Sequence, residues 1–428
     1  MRLRSGSILL LLAAVACGHG PRARHPNVVL ILVDTLRKDY VHTYGYPRDL
    51  SPAIDALGAG GVVFENHVAH ASQTIPSTLS LLLSRTPADH GFMPRSSIER
   101  PPRYPDELVF LTEVFHDAGY ATAGFMANPL LGPETGFGQG FDHFRQFVSP
   151  GTRGDVLTRA ASEWLEAWSQ LRGRPFYVYL HYMDVHQPYD APEEYKRRIG
   201  LPSEGMALTG NRALAFADPV DLAYSRSAYA AGVAYADDQV AALLRELDKL
   251  GVRQDTIVVL TADHGEEFGE HGGVGHGTSV YGELVRVPLI LCFPGRVEAG
   301  RRERRLSQHI DVAPTLLRLA GLDVPAAFRG GSLFEPSERA FVEMGPWVGV
   351  YADGRKLVWN RDTGTRLLFA MEDELDQAPR SDPALAERLA AMLETYAAHA
   401  VARSEEPARG LQWTKEERDR LRALGYAE

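Results

Sequence analysis

The sequence predicts a doubly wound, mostly parallel α/β sheet with helices on both faces, followed by a small α+β C-terminal subdomain. Three observations carry this. Four continuous apolar runs, Asn27–Val33, 175–181, Thr256–Thr261 and 287–293, have the β-branched and aromatic content of strands covered on both faces. Helical patterns at 107–118, 155–171, 224–250 and 310–320 alternate with them. Acids and histidines gather just after the runs, where ligands collect in open α/β sheets.

The chain begins with Arg2 and Arg4 ahead of an apolar stretch too short to span a membrane, and residues 1–17 read as a signal peptide. Its end, Ala14-Val15-Ala16-Cys17-Gly18, resembles a bacterial lipobox, with Cys17 as the lipidated residue. A cell-envelope lipoprotein, periplasmic or outer-membrane, is the expectation; a secreted protein is the alternative. A membrane would then be touched only through the anchor at Cys17. The other cysteine, Cys292, lies in the fourth apolar run and reads as a core residue.

The chain has 428 residues and 45% apolar content, which suits a large domain with an appendage. Residues 26–325 form the predicted catalytic domain, 326–402 the α+β subdomain, and 403–428 a polar tail. Gly251 and Gly321 close the helices that end before them. Residues 341–370 hold short strand-like pieces separated by turns, and 383–400 read as a helix. Net charge is −10, or −12 once Arg2 and Arg4 leave with residues 1–16. This excludes nucleic acid as a partner and implies a local positive device, such as a metal, for any anionic substrate.

The first run ends at Asp34, the second leads to Asp184 and His186, and the third ends in Asp263-His264. Asp and His fill interiors poorly, so packing does not explain them. The densest signal runs from Asp263 to Gly277, with His264, His271 and His276 among six glycines. Histidine with carboxylate suits a borderline divalent metal, Zn or Mn ahead of Ca or Mg, as one ion or two. Thr74 stands in Ser72-Gln73-Thr74-Ile75-Pro76-Ser77-Thr78, just before an apolar run that can form a helix. A hydroxyl there is either a helix cap or a nucleophile held beside a bound oxyanion.

These segments resemble the sulfatase family of the alkaline phosphatase superfamily. The likeness is carried in order by Asn27 to Arg37, Pro76-Ser77 to Asp89-His90-Gly91, Gly140-Phe141-Asp142 and His186-Gln187-Pro188-Tyr189. It continues through Asp263-His264-Gly265, Arg286-Val287-Pro288 and Asp311-Val312-Ala313-Pro314-Thr315. It implies an alkaline phosphatase-like fold and an ester hydrolase or transferase. Thr74 falls on the nucleophile position, where sulfatases carry a Cys or Ser that becomes formylglycine. Threonine cannot form that aldehyde. Thr78 stands in place of the signature arginine, Thr35 in place of a second carboxylate, and no lysine occurs near Ala127.

What remains resembles relatives that transfer phosphoryl groups through an unmodified threonine, such as phosphoethanolamine transferases and nucleotide pyrophosphatases. The resemblance implies Asp34, Thr74, Asp263 and His264 on one metal. It implies His186 and His276 either as ligands of a second metal or as catalytic groups holding the substrate's oxyanion directly. Asp184 and His271 are further candidates. Phosphate, phosphonate or sulfate esters of small molecules, glycans or lipids are the expected substrates, with phosphoesters preferred. The alternatives are a sulfuric ester hydrolase working without formylglycine and a catalytically silent anion- or glycan-binding lipoprotein.

Overall fold

A computed structural model describes residues 25–93, 103–149, 152–171, 173–209, 212–213 and 218–400, together with Lys415 and Leu421. The predicted signal peptide, with Cys17, and most of the predicted tail lie outside the described residues. Among the described residues, no helix is long and apolar enough to cross a membrane.

Eight strands form the main sheet in the order Arg301–Gln308, Val62–Val68, Leu289–Cys292, Thr256–Thr261, Asn27–Val33, Phe176–Tyr182, Ala121–Met126 and His143–Gln146. Asn27–Val33 is central, parallel to both neighbours, with Leu30 opposite Tyr179 on one side and Val259 on the other. Only Leu289–Cys292 runs antiparallel, wedged between Val62–Val68 and Thr256–Thr261. Cys292 is buried there, its thiol donating to the Gly60 carbonyl at 3.2 Å.

The central strand alternates its side chains between two cores, as a pleated strand covered on both faces must. Val29, Ile31 and Val33 join Leu157, Leu165, Val233 and Leu243 from the helices Gly154–Leu171 and Pro219–Lys249. Val28, Leu30 and Leu32 join Leu79, Leu111, Phe115 and Leu316 from the helices Thr74–Leu83, Leu111–Asp117 and Val312–Leu319. Leu421, within the predicted polar tail, is buried in this second core. Gly251 and Gly321, at φ +69° and +71°, take the left-handed conformation that ends their helices.

The C-terminal part is an antiparallel four-stranded sheet, Arg339–Met344, Trp347–Ala352, Arg355–Asn360 and Arg366–Ala370. The helix Pro383–Ala398 covers one face through Leu389 and Leu393. The other face packs Val342, Tyr351 and Val358 on Val280, Leu284 and Val285 of the large domain. This second contact places the subdomain beside the segment that follows His276.

One buried acid outside the strand ends is structural. Asp237 accepts from the backbone N–H of Ala53 at 3.0 Å and Ile54 at 2.8 Å, closing the N-terminus of the helix Pro52–Ala59 from a neighbouring helix. Asp237→Ala should destabilise the protein by about 1–2 kcal/mol. Urea denaturation checks this, and a change within about 0.3 kcal/mol would remove the capping role.

Candidate active site

Asp34 follows the central strand directly and is fully buried. Its Oδ2 accepts from Asn128 Nδ2 at 2.8 Å and lies 3.0 Å from His181 Nε2, whereas Oδ1 has no hydrogen-bond partner. The Tyr179 hydroxyl, 2.9 Å from His181 Nδ1, donates to that nitrogen when Nε2–H points at the carboxylate. Burial alone would raise the Asp34 pKa. His181, His186 and His264 outweigh it and hold the carboxyl well below the usual range.

Asp263 and His264 follow the neighbouring strand Thr256–Thr261. Asp263 Oδ1 accepts from the N–H of His264 at 2.9 Å and of Thr35 at 3.2 Å. Its Oδ2 is buried without a partner. Burial, and then the nearby Asp34 charge, push the Asp263 pKa up. His264 Nδ1–H donates to the Gly265 carbonyl at 2.9 Å, which fixes the tautomer with an accepting Nε2. That Nε2 is 3.5 Å from Asp263 Oδ2 and 3.8 Å from Asp34 Oδ1. Gly265 is required, because a Cβ there would meet the Glu283 carbonyl oxygen at 1.9 Å.

Thr74 opens the helix Thr74–Leu83, all ten residues of which are buried. Gln73 occupies the N-cap position with no side-chain bond, so Thr74 is the first helical residue and not the cap considered from sequence. Its Oγ1 lies 3.4 Å from His264 Nε2. The helix and the turn before it are anchored by other hydroxyls: Ser72 donates to the Ser279 carbonyl at 2.6 Å, and Ser77 to the Asp263 carbonyl at 2.5 Å. Thr35, at φ +58°, and Thr78 are buried with side-chain oxygens lacking partners.

His276 completes the cluster. Its ring centroid is 4.6 Å from His264 and 4.9 Å from His186. Nδ1 lies 2.8 Å from Oε1 of the buried Glu266. Burial lowers the His276 pKa, but Glu266 outweighs it and the net direction is upward. His186, with Nδ1 2.7 Å from the Gln187 carbonyl, is instead pushed down to about 4 by burial.

The structure thus brings together Asp34, Thr74, His186, Asp263, His264 and His276. Asp184 and His271 are elsewhere. Asp184 accepts from Gly154 N–H at 2.8 Å, at the start of the helix Gly154–Leu171. It passes the strand end but turns back over the helix layer. His271 lies at the far end of a hairpin, its Nδ1 2.8 Å from Glu283. Sequence reasoning missed Asn128, His181 and Glu266. His181 sat inside an apolar run, and Glu266 looked like one more polar residue of a glycine-rich loop. Asn128 stands next to Ala127, where the absent lysine was the only clue.

The donor chemistry fits a divalent ion. Asp34, Asp263 and His264 each offer one ligand atom within 4.8 Å of the others. Two carboxylate oxygens buried without partners and an accepting imidazole nitrogen are what a cation would satisfy.

A family model described as Sulfatase matches residues 26–322. The N-acetylglucosamine-6-O-sulfatase of Bacteroides thetaiotaomicron is 23% identical, covering 78% of this chain and 75% of that protein. Arylsulfatase A of Homo sapiens is 27% identical over 74% of this chain and 68% of its own length. The structure of the phosphonate monoester hydrolase of Agrobacterium radiobacter superposes with a TM-score of 0.71 at 19% identity, covering 88% of this chain and 96% of that one.

The Glu266–His276 pair makes a direct prediction. Glu266→Gln should lower the His276 pKa, read from the imidazole C2–H resonance in metal-free protein. An unmoved resonance would show that the carboxylate does not hold the proton.

Proposed function

Since the chain belongs to the sulfatase family, we propose that it hydrolyses or transfers phosphate, phosphonate or sulfate esters through Thr74, with phosphoesters preferred. The observation that carries this reading is the buried Thr74 hydroxyl at a helix N-terminus, 3.4 Å from His264 and beside Asp34 and Asp263. A helix N-terminus favours the anionic group that such an ester presents.

Asp34, Asp263 and His264 would hold the divalent ion, Zn or Mn by ligand type, with Thr74 at its edge. When bound, the ion supplies a Lewis acid that acidifies the threonine hydroxyl and offsets charge on the transferring group. Thr74 Oγ1 loses its proton to solvent and bonds to phosphorus while the bond from phosphorus to the ester oxygen breaks. His276, which Glu266 biases toward the charged form, gives its proton to the departing alcohol. His186, neutral and with its Nδ1–H committed to the Gln187 carbonyl, keeps an accepting Nε2, which suits a second metal ion and not donation to the oxyanion. Water then attacks the phosphothreonine and returns a proton to His276. Inorganic phosphate leaves and Thr74 regains its hydroxyl proton. An alcohol in place of water gives transfer.

The same groups could carry sulfuryl transfer, and similarity to an N-acetylglucosamine-6-O-sulfatase favours this second reading and a sugar ester as substrate. Threonine lacks the aldehyde route by which formylglycine expels sulfate, which is why phosphorus is preferred. A location in the bacterial cell envelope, or secretion, is part of the proposal and rests on residues 1–17.

Chromogenic phosphate monoester, diester, phosphonate and sulfate substrates test the preference. Phosphorus esters should be turned over fastest, and dominant sulfate-ester hydrolysis would reverse the assignment. Thr74→Ala should lower turnover by about 10³-fold or more while leaving the circular dichroism spectrum unchanged. Undiminished turnover in a folded Thr74→Ala protein would remove Thr74 as nucleophile.

A further inference from the structure

A second cluster lies behind the first, at the tip of the hairpin formed by Glu267–Phe268 and Gly273–Gly275. Glu267, His271 and Glu283 each offer one donor atom within 4.8 Å of the others. Glu267 and Glu283 are buried. Glu267 Oε1 accepts from the N–H of His271 at 2.9 Å and of Gly273 at 2.7 Å, which aims the carboxylate at the tip. The His271 ring stacks on Tyr281 at 3.6 Å and 2°, which fixes its plane.

The hydrogen bonding around His271 is the informative part. Nε2 lies 2.9 Å from the Asp376 carbonyl, which can only accept, so Nε2 carries the proton. Nδ1 then faces Glu283 Oε1 at 2.8 Å. A neutral ring would set a lone pair against a carboxylate. Glu283 Oε2 is buried and has no hydrogen-bond partner at all, an arrangement that costs free energy unless something cationic meets it.

The neighbouring cations are already matched. Arg37 pairs with Asp39 and Glu270, and Arg226 also reaches Glu270. Lys356 pairs with Asp376. Two buried carboxylates thus share one imidazole, and even with that ring protonated a negative charge remains. Burial, the largest influence, raises Glu267 and Glu283. It also lowers His271, but Glu283 outweighs it and the histidine is raised. A proton is therefore what the cluster takes up in the absence of a better cation.

We infer that Glu267, His271 and Glu283 bind a divalent cation, distinct from the ion of the Thr74 site. One imidazole nitrogen and two carboxylates suit Zn²⁺ or Mn²⁺. The ion neutralises both carboxylates and satisfies Glu283 Oε2. Its position gives it a structural task. The hairpin begins just after Glu266 and ends just before His276, so an ion at its tip ties both residues to the segment of Glu283. Through the Asp376 carbonyl it also ties them to the C-terminal part.

The test counts metal in the full-length chain. Metal-free protein is dialysed against Zn²⁺ and, separately, Mn²⁺; bound metal per chain and Tm are then measured. An Asp263→Asn, His264→Gln double variant, which disables the Thr74 site, should still bind about one ion and still gain Tm on loading. Glu283→Gln should bind about one ion fewer than the wild type, and its metal-free form should be as stable as the wild type or more so. If Glu283→Gln does not fold, His271→Gln is read in its place with the same expected count. Adding Glu283→Gln or His271→Gln to the double variant should remove all binding. The proposal is overturned if the double variant binds no ion, or if Glu283→Gln and His271→Gln bind as many ions as the wild type. Failure of the Thr74 metal reading looks different: the double variant would then match the wild-type count.

Discussion

Two carboxyl groups, Asp34 and Asp263, stand side by side, fully buried, at the end of a parallel sheet. Taking a charge out of water is expensive, and like charges resist a shared site. Most of what surrounds them offsets that difficulty. The Tyr179–His181 pair and Asn128 hold one oxygen of Asp34, and two backbone N–H groups hold one oxygen of Asp263. The other oxygen of each is left without a hydrogen-bond partner. The sheet topology brings the two acids together, because Asn27–Val33 and Thr256–Thr261 are parallel neighbours whose chains leave in the same direction.

Three histidines of the cluster show how environment divides one residue type into several roles. His186 is driven toward neutrality by burial. His276 is equally enclosed but has Glu266 behind it and is held toward the charged form. His264 has its Nδ1 proton committed to a carbonyl, and its other nitrogen faces the acids. The difference lies in the partner of Nδ1: a carbonyl in two cases, a carboxylate in one.

Much of this was legible in the sequence, and the gaps have physical causes. Continuous apolar runs announced the three central strands, because a strand covered on both faces has no polar side. Arg301–Gln308 escaped notice because it is an edge strand with exposed arginines, and its composition is that of a surface. Val62–Val68 is interrupted by Glu65, Asn66 and His67. Asp34, Asp263 and His264 could be found because each stands within three residues of the end of a strand. Asp184 stands as far past its strand as Asp263 does past its own, yet its carboxylate accepts from the Gly154 N–H at a helix terminus, so offset from a strand end alone did not separate the two. Glu266 and His271 sit five residues apart in one glycine-rich stretch, and nothing local says which faces the acids. That depends on where the hairpin turns.

The anchoring of the helix Thr74–Leu83 has an evolutionary consequence. Ser72 and Ser77 fasten it to the rest of the protein on either side of position 74, and the Thr74 side chain carries none of that load. The position behaves as a socket. A different hydroxyl or thiol can be seated there without disturbing how the helix is hung, so the reactive group can be exchanged by single substitutions while the scaffold stays still. A lineage built this way can change the chemistry at its centre faster than its architecture, and overall likeness among its members then says less about the reaction than one side chain does.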